Sequence, residues 1–87
     1  MANPDVIAVI QNAGVQNHIV RITYTDRKGV TTIRDTEPYE IKENFYWGYS
    51  LMTDIEREPG IRRFNLDNVS DAIDTGIEYV PRWEVKF

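Results

Sequence analysis

The stretch Ile61-Arg62-Arg63-Phe64-Asn65-Leu66-Asp67-Asn68-Val69 holds the residues of this chain best suited to chemistry. Two adjacent arginines precede a Phe/Leu pair at period-2 spacing, and a polar Asp-Asn turn follows. On a strand, that alternation puts Arg62 with Phe64 and Leu66 on one face and Arg63 on the other. A guanidinium fixed on a strand can grip phosphate or carboxylate through two parallel hydrogen bonds. A solvated strand face accounts for the same spacing, and because the two arginines point opposite ways only one can serve a given site.

The aromatic block before it could supply stacking. Phe45, Trp47, Tyr49 and Leu51 fall on one face of a strand expected over 45–53, with Tyr46, Gly48, Ser50 and Met52 on the other. Aromatics at period 2 read first as core. A base-stacking role needs them exposed beside an arginine, where each contact is worth roughly 1–3 kcal/mol. Gly48 in mid-strand points to a bulge or a close backbone approach.

Other chemistry is thinly represented. The absence of cysteine excludes disulfides, thiolate metal ligands, iron–sulfur clusters and a thiol nucleophile. It also fits a cytoplasmic setting. His18 is the single histidine and reads as a surface or capping residue. Asp54, Glu56 and Glu58 with Arg57 form a charged loop without an accompanying nucleophile, and Asp67, Asp71 and Asp74 are spaced for turns rather than for a calcium loop. No phosphate-cradling glycine loop or hydrolase elbow is present. Neither enzyme activity nor a cofactor is expected. The net charge of −4 makes non-specific nucleic-acid binding a poor default, so any such contact needs a local basic patch. No apolar run approaches the length of a membrane span, and the N-terminus lacks the features of a signal peptide.

The elements that must position these residues are legible in outline. Asn3-Pro4-Asp5 is a helix start, with a capping side chain, a proline suited to the first turn and an acid at the positive end of the dipole. Val6, Ile7, Ile10 and Ala13 recur at helical spacing, and Gly14 offers a stop, so a helix is expected over about 4–13. Strands follow over 19–25 and 30–35, joined by the turn Asp26–Gly29. Glu37-Pro38-Tyr39 interrupts the second, which resumes over 39–42 before a turn at Glu43-Asn44. After the long aromatic strand, 54–60 is a loop and 61–66 the arginine strand. A short extended or 3₁₀ piece is expected over 69–73, a turn at 74–76 and a terminal strand over 77–87, bent at Pro81. The 87 residues suit one small, mainly β domain: a short helix, then a five-stranded, strongly bent small barrel over about 19–87.

The order of motifs, Ile22-Thr23-Tyr24, Gly29, Arg34, Glu37-Pro38-Tyr39, Phe45-Tyr46-Trp47-Gly48-Tyr49 and then Arg62 to Val69, resembles the WYL domain over roughly residues 19–73. That family has an Sm-like, SH3-type β-barrel and occurs in bacterial transcription regulators and in phage-defence and CRISPR-associated proteins. The resemblance implies a regulatory module that senses nucleic-acid or nucleotide-type ligands through a basic, aromatic-lined face, commonly behind a helix-turn-helix. Tyr24 and the Trp47/Tyr49 region match aromatic positions of the family, Arg62 the arginine heading its second motif, and Phe64, Leu66 and Val69 its core positions. The chain departs from the pattern in two places. The literal Trp-Tyr-Leu triplet is absent, with Phe45-Tyr46-Trp47 or a shifted block in its place, and Asn68 stands where a second arginine is usual. A single short helix precedes the barrel, so a DNA-binding domain would come from a partner protein.

The resulting expectation is a non-enzymatic sensor. Arg62 neutralises phosphate with help from Arg63 or Arg34, and Tyr24, Tyr46, Trp47 or Tyr49 stacks on the ligand. The competing expectation is a protein-interaction or self-association module of phage or mobile-element type that has lost the ligand, since small barrels pair through edge strands and an acidic chain suits a protein partner.

Overall fold

A computed structural model describes residues 3–51 and 60–87. Helix α1 (Pro4–Gln16) starts where the sequence places it. The Asn3 side-chain oxygen accepts from the Asp5 N–H at 2.9 Å, and Pro4 occupies the first turn. Its end lies one turn later than expected. Gly14 is not a stop but a buried helix residue against the Phe87 ring, and Asn17, at φ 57°, takes the left-handed capping position instead. The helix buries Val6, Ile10, Ala13 and Gly14.

Five antiparallel strands follow: β1 (His18–Thr25), β2 (Thr31–Lys42), β3 (Phe45–Ser50), β4 (Gly60–Asn65) and β5 (Val69–Glu78). They form one sheet in the order β4-β3-β2-β1-β5, with a 3₁₀ turn at Leu66–Asn68 between β4 and β5. The sheet bends strongly but does not close, and β4 and β5 are its edges. The core joins α1 to Val20, Ile22, Tyr46, Phe64, Leu66, Val69 and Ala72.

β2 joins the two halves of the sheet. Its first half pairs with β1 and its second with β3, and Thr36 pairs with both Val20 and Ser50. Glu37-Pro38-Tyr39 was expected to interrupt this strand. Instead β2 runs through it, with a bulge between Pro38 and Glu40. A bulge is where a proline without an N–H is tolerated inside a sheet.

Two further expectations are corrected. The predicted turn at 74–76 does not end a strand: Asp74 accepts from the Gly76 N–H at 2.8 Å, and β5 passes through this irregularity to Glu78. The predicted terminal strand over 77–87 is absent beyond that point. Residues 79–87 leave the sheet and lie across the bulge of β2. The Tyr79 hydroxyl donates to the Pro38 carbonyl, the Lys86 N–H donates to the Tyr39 carbonyl (2.7 Å), and Trp83 stacks on Tyr39 with centroids 4.5 Å apart. The tail thus takes up two carbonyls at the bulge. The expected charged loop and the end of the aromatic strand fall on residues 52–59, outside the described residues.

Candidate functional site

The face assignment of β3 is the reverse of the one its aromatics suggest. Tyr46, Gly48 and Ser50 are buried, whereas Phe45, Trp47 and Tyr49 are half-buried on the outer side. The cause is a pair of small-scale fits on the inner side. The Tyr46 ring lies over Gly48, so close that a Cβ there would sit 2.8 Å from its Cζ and Oη. Its hydroxyl donates to the Thr36 Oγ1 at 2.8 Å while that oxygen donates to the Val20 carbonyl at 3.1 Å. A phenol held this way satisfies its one polar atom inside the core. Burial pushes the Tyr46 phenol far above its usual range. Gly48 therefore marks a close approach, with the bulge on the partner strand opposite.

The seven residues singled out in the sequence consequently divide between two faces. Tyr24, Arg34, Tyr46 and Arg62 belong to the inner side, and Arg63, Trp47 and Tyr49 to the outer. Tyr46 is fully buried and offers no ring face to a ligand. Arg34 is only 3 % exposed; its guanidinium carbon lies 5.9 Å from the ring centroids of both Tyr24 and Phe64, and its Nε donates to Thr32 Oγ1 at 3.0 Å. Tyr24 and Phe64 meet edge-on at 5.1 Å. Arg62 is half-buried, and its Nη1 donates to the Ile61 carbonyl at 2.9 Å. Arg34 is thereby built into the packing of the inner side.

The outer side has a different character. Register places Lys42 beside Phe45, Glu40 and Arg63 on either side of Trp47, and Glu37 and Ile61 on either side of Tyr49. Directly opposed residues share a face of the sheet. Arg63, exposed, sits 4.4 Å above the Phe45 ring and 5.9 Å from Trp47. Arg82 of the tail sits 4.0 Å above Tyr49 and pairs with the buried Glu37 carboxylate at 3.1 Å. That carboxylate also accepts from the Tyr39 hydroxyl at 2.8 Å. Burial is the main reason, with Glu37 adding to it, that the Tyr39 phenol is pushed up to about 12. Arginines thus lie over the partly buried rings of Phe45 and Tyr49. They form a stripe of alternating cation and aromatic surface along β3.

Phe45, Arg82 and Trp83 of this stripe were not among the sequence candidates. The period-2 spacing of Phe45 reads as core, and the adjacent Arg82-Trp83 pair lies in a segment whose sequence reads as a strand. His18, expected at the surface, is half-buried and pairs with Asp74 at 3.0 Å. Among the described residues, no three His, Asp or Glu side chains come together as a metal ion would need. No helix among them is long and apolar enough to cross a membrane.

A family model described as WYL domain matches residues 5–73, from the first turn of α1 into β5. The tail that lies over β2 is outside the matched span. Neither the curated proteins nor the solved structures compared with the chain give a match.

Proposed function

Because the chain belongs to the WYL domain family, whose members are in general regulatory sensing modules rather than catalysts, we propose that it senses a single-stranded nucleic acid or nucleotide on the outer face of β3 and β4. The observation that carries this reading is the stacking of the exposed Arg63 guanidinium on Phe45, with Trp47 beside it. A base would stack on Trp47 or Phe45 in place of, or on top of, that guanidinium. Arg63 and Lys42 would then face the phosphates on either side. Such sites take bases of any sequence because every base has a π-face. Arg34, buried on the inner side against Phe64 of β4, serves the packing of that strand and so contributes indirectly; Arg62 lies on the same side, away from the stripe. The bound state would be read by a partner protein carrying a DNA-binding domain.

Fluorescence anisotropy of a labelled short single-stranded oligonucleotide tests this. Saturable binding is expected that weakens with salt, because phosphate contacts release counterions. Arg63→Ala and Trp47→Ala are each expected to weaken it by about tenfold, from the loss of roughly 1–3 kcal/mol per stacked base. Equal binding by wild type and both variants refutes the outer-face site.

The second reading, a protein-interaction or self-association module, has its own observation: large apolar side chains exposed on the other half of the same sheet face.

A further inference from the structure

Beside Trp47, a groove of about 140 Å³ opens between the outer face of the sheet and the tail. Its aromatic lining comes from Trp47 of β3, Tyr39 of β2 and Trp83 of the tail, and its polar lining from Glu40, Glu84 and Lys86. Register places Glu40 directly opposite Trp47, so the two share a face of the sheet. Trp83 stacks on Tyr39 and is still 46 % exposed, which leaves indole surface open to a further ring. The charged groups of the groove are not committed elsewhere. Glu37, on the same strand as Glu40, is taken up by Tyr39 and Arg82. Among the described residues, by contrast, the side chains of Glu40, Glu84 and Lys86 have neither a hydrogen bond nor an ion pair. Glu40 is moreover half-buried, and a carboxylate partly withdrawn from water gains most from a donor brought to it.

We propose that this groove takes a guanine base. The proposal rests on the reading that a nucleotide stacks on the outer face, and it adds a choice of base that the stripe alone lacks. A carboxylate only accepts hydrogen bonds and an ammonium only donates them. The groove therefore offers two accepting groups and one donating group beside its aromatic walls. The Watson–Crick edge of guanine carries two neighbouring donors, N1–H and the N2 amino group, and then the O6 acceptor. Adenine and cytosine each present a single donor group among acceptors, and uracil and thymine present one N–H between two carbonyls. The carboxylates match the two donors of guanine and the ammonium matches O6, while the ring stacks on an indole, as unpaired bases are commonly read. A compact cation fits less well, because it would meet Lys86 beside the carboxylates and leave that ammonium without an acceptor. Trp83, Glu84 and Lys86 lie beyond the residues 5–73 that match the family model, so the choice of base belongs to the tail of this chain rather than to the shared domain.

Isothermal titration calorimetry of the whole chain with GMP, AMP, CMP and UMP tests the inference. GMP is expected to bind about tenfold or more tighter than the other three, from the added contacts to its base edge. Inosine monophosphate keeps the fused ring, N1–H and O6 but lacks the N2 amino group, and it is expected to bind about tenfold more weakly than GMP. Glu40→Gln and Glu84→Gln replace one accepting oxygen by a donor at nearly unchanged shape. Both variants are expected to keep the wild-type circular dichroism and melting curve and to lose most of the advantage of GMP over AMP. No binding of any nucleotide, equal affinity for all four, inosine monophosphate as tight as GMP, or an advantage of GMP that survives both substitutions in folded protein overturns the proposal. Oligonucleotide anisotropy judges the stripe separately. Equal affinity for the four nucleotides, with oligonucleotide binding still weakened by Arg63→Ala, removes the guanine assignment and keeps the stacking site. An advantage of GMP lost in the glutamine variants, with oligonucleotide binding indifferent to Arg63→Ala, keeps the groove and removes the stripe.

Discussion

Gly48→Ala probes the fit that turns the aromatics of β3 outward. The new methyl would sit 2.8 Å from the Cζ and Oη atoms of Tyr46, a side chain with no exposed surface and with its hydroxyl tied to Thr36. Overpacking of this kind costs about 1–3 kcal/mol. Displacing the hydroxyl from Thr36 adds about 1 kcal/mol, and the stiffer backbone of alanine returns roughly 0.5–1 kcal/mol. The net expectation is a destabilisation of about 2 kcal/mol, or roughly 8–16 °C in Tm for a chain of this size. Urea denaturation of the single variants and of Gly48→Ala with Tyr46→Phe measures it. Removing Oη takes away one of the two close atoms, so the double variant is expected to be more stable than the sum of the singles by at least about 0.5 kcal/mol. A Gly48→Ala protein as stable as the wild type, with additive effects, would mean that the Tyr46 ring does not lie over Gly48. The reason for the outer placement of Phe45, Trp47 and Tyr49 would then fall.

Three other expectations concern the elements around that strand. Tyr39, Tyr46 and Tyr79 are all held protonated chiefly by burial, so the native state binds their protons more tightly than the unfolded chain does; their contribution is full below the ordinary phenol value of about 10 and is lost as pH rises beyond it. Tyrosinate absorbance should therefore lag until the chain unfolds in alkali, and full ionisation in a still-folded protein would contradict the packing. Gly14→Ala would place a methyl 2.3 Å from the Phe87 ring; it should expel that ring and cancel much of the roughly 1 kcal/mol gained in helix propensity, whereas in a Phe87→Ala background the same change should stabilise. Additive melting temperatures across the four proteins would refute the contact. The Asp74 carboxyl is held below the usual range, first by the Gly76 N–H and further by His18, so it favours folding above the unfolded carboxyl value of about 3.9 and that contribution fades as pH falls. Asp74→Asn should lower stability at neutral pH and flatten the acid limb of the stability curve, and an unchanged acid limb would count against the pairing.

The parts of the fold that local chemistry dictates were readable from the sequence. Asn3-Pro4-Asp5 starts the helix, Asp26–Gly29 turns β1 into β2 with Gly29 at φ +80°, and β-branched runs become strands. Those set by distant partners were not. Nothing local to Gly14 reveals that Phe87 comes to rest on it, and Pro38 reads as a break unless the bulge beside it and the tail that takes its carbonyl are known. The same holds for the candidate site. Period 2 correctly separated Arg62 from Arg63 and Tyr46 from Trp47, but periodicity cannot say which face is inside. Counting rings favoured the wrong one, because Tyr46 has an acceptor at Thr36 and a glycine beneath its ring on the inner side. Arg82 and Trp83 join the stripe only through the path of the tail.

The central claim, a stacking site on the outer face of β3, is tested most directly through Trp47 itself. The chain has two tryptophans, so Trp83→Phe leaves Trp47 as the sole reporter on the stripe. Titration of that protein with a short single-stranded oligonucleotide is expected to give saturable quenching of Trp47 fluorescence, with its midpoint moved about tenfold higher by Arg63→Ala and unmoved by Arg62→Ala. Fluorescence that never responds, or a midpoint unmoved by Arg63→Ala and raised by Arg62→Ala, would contradict it.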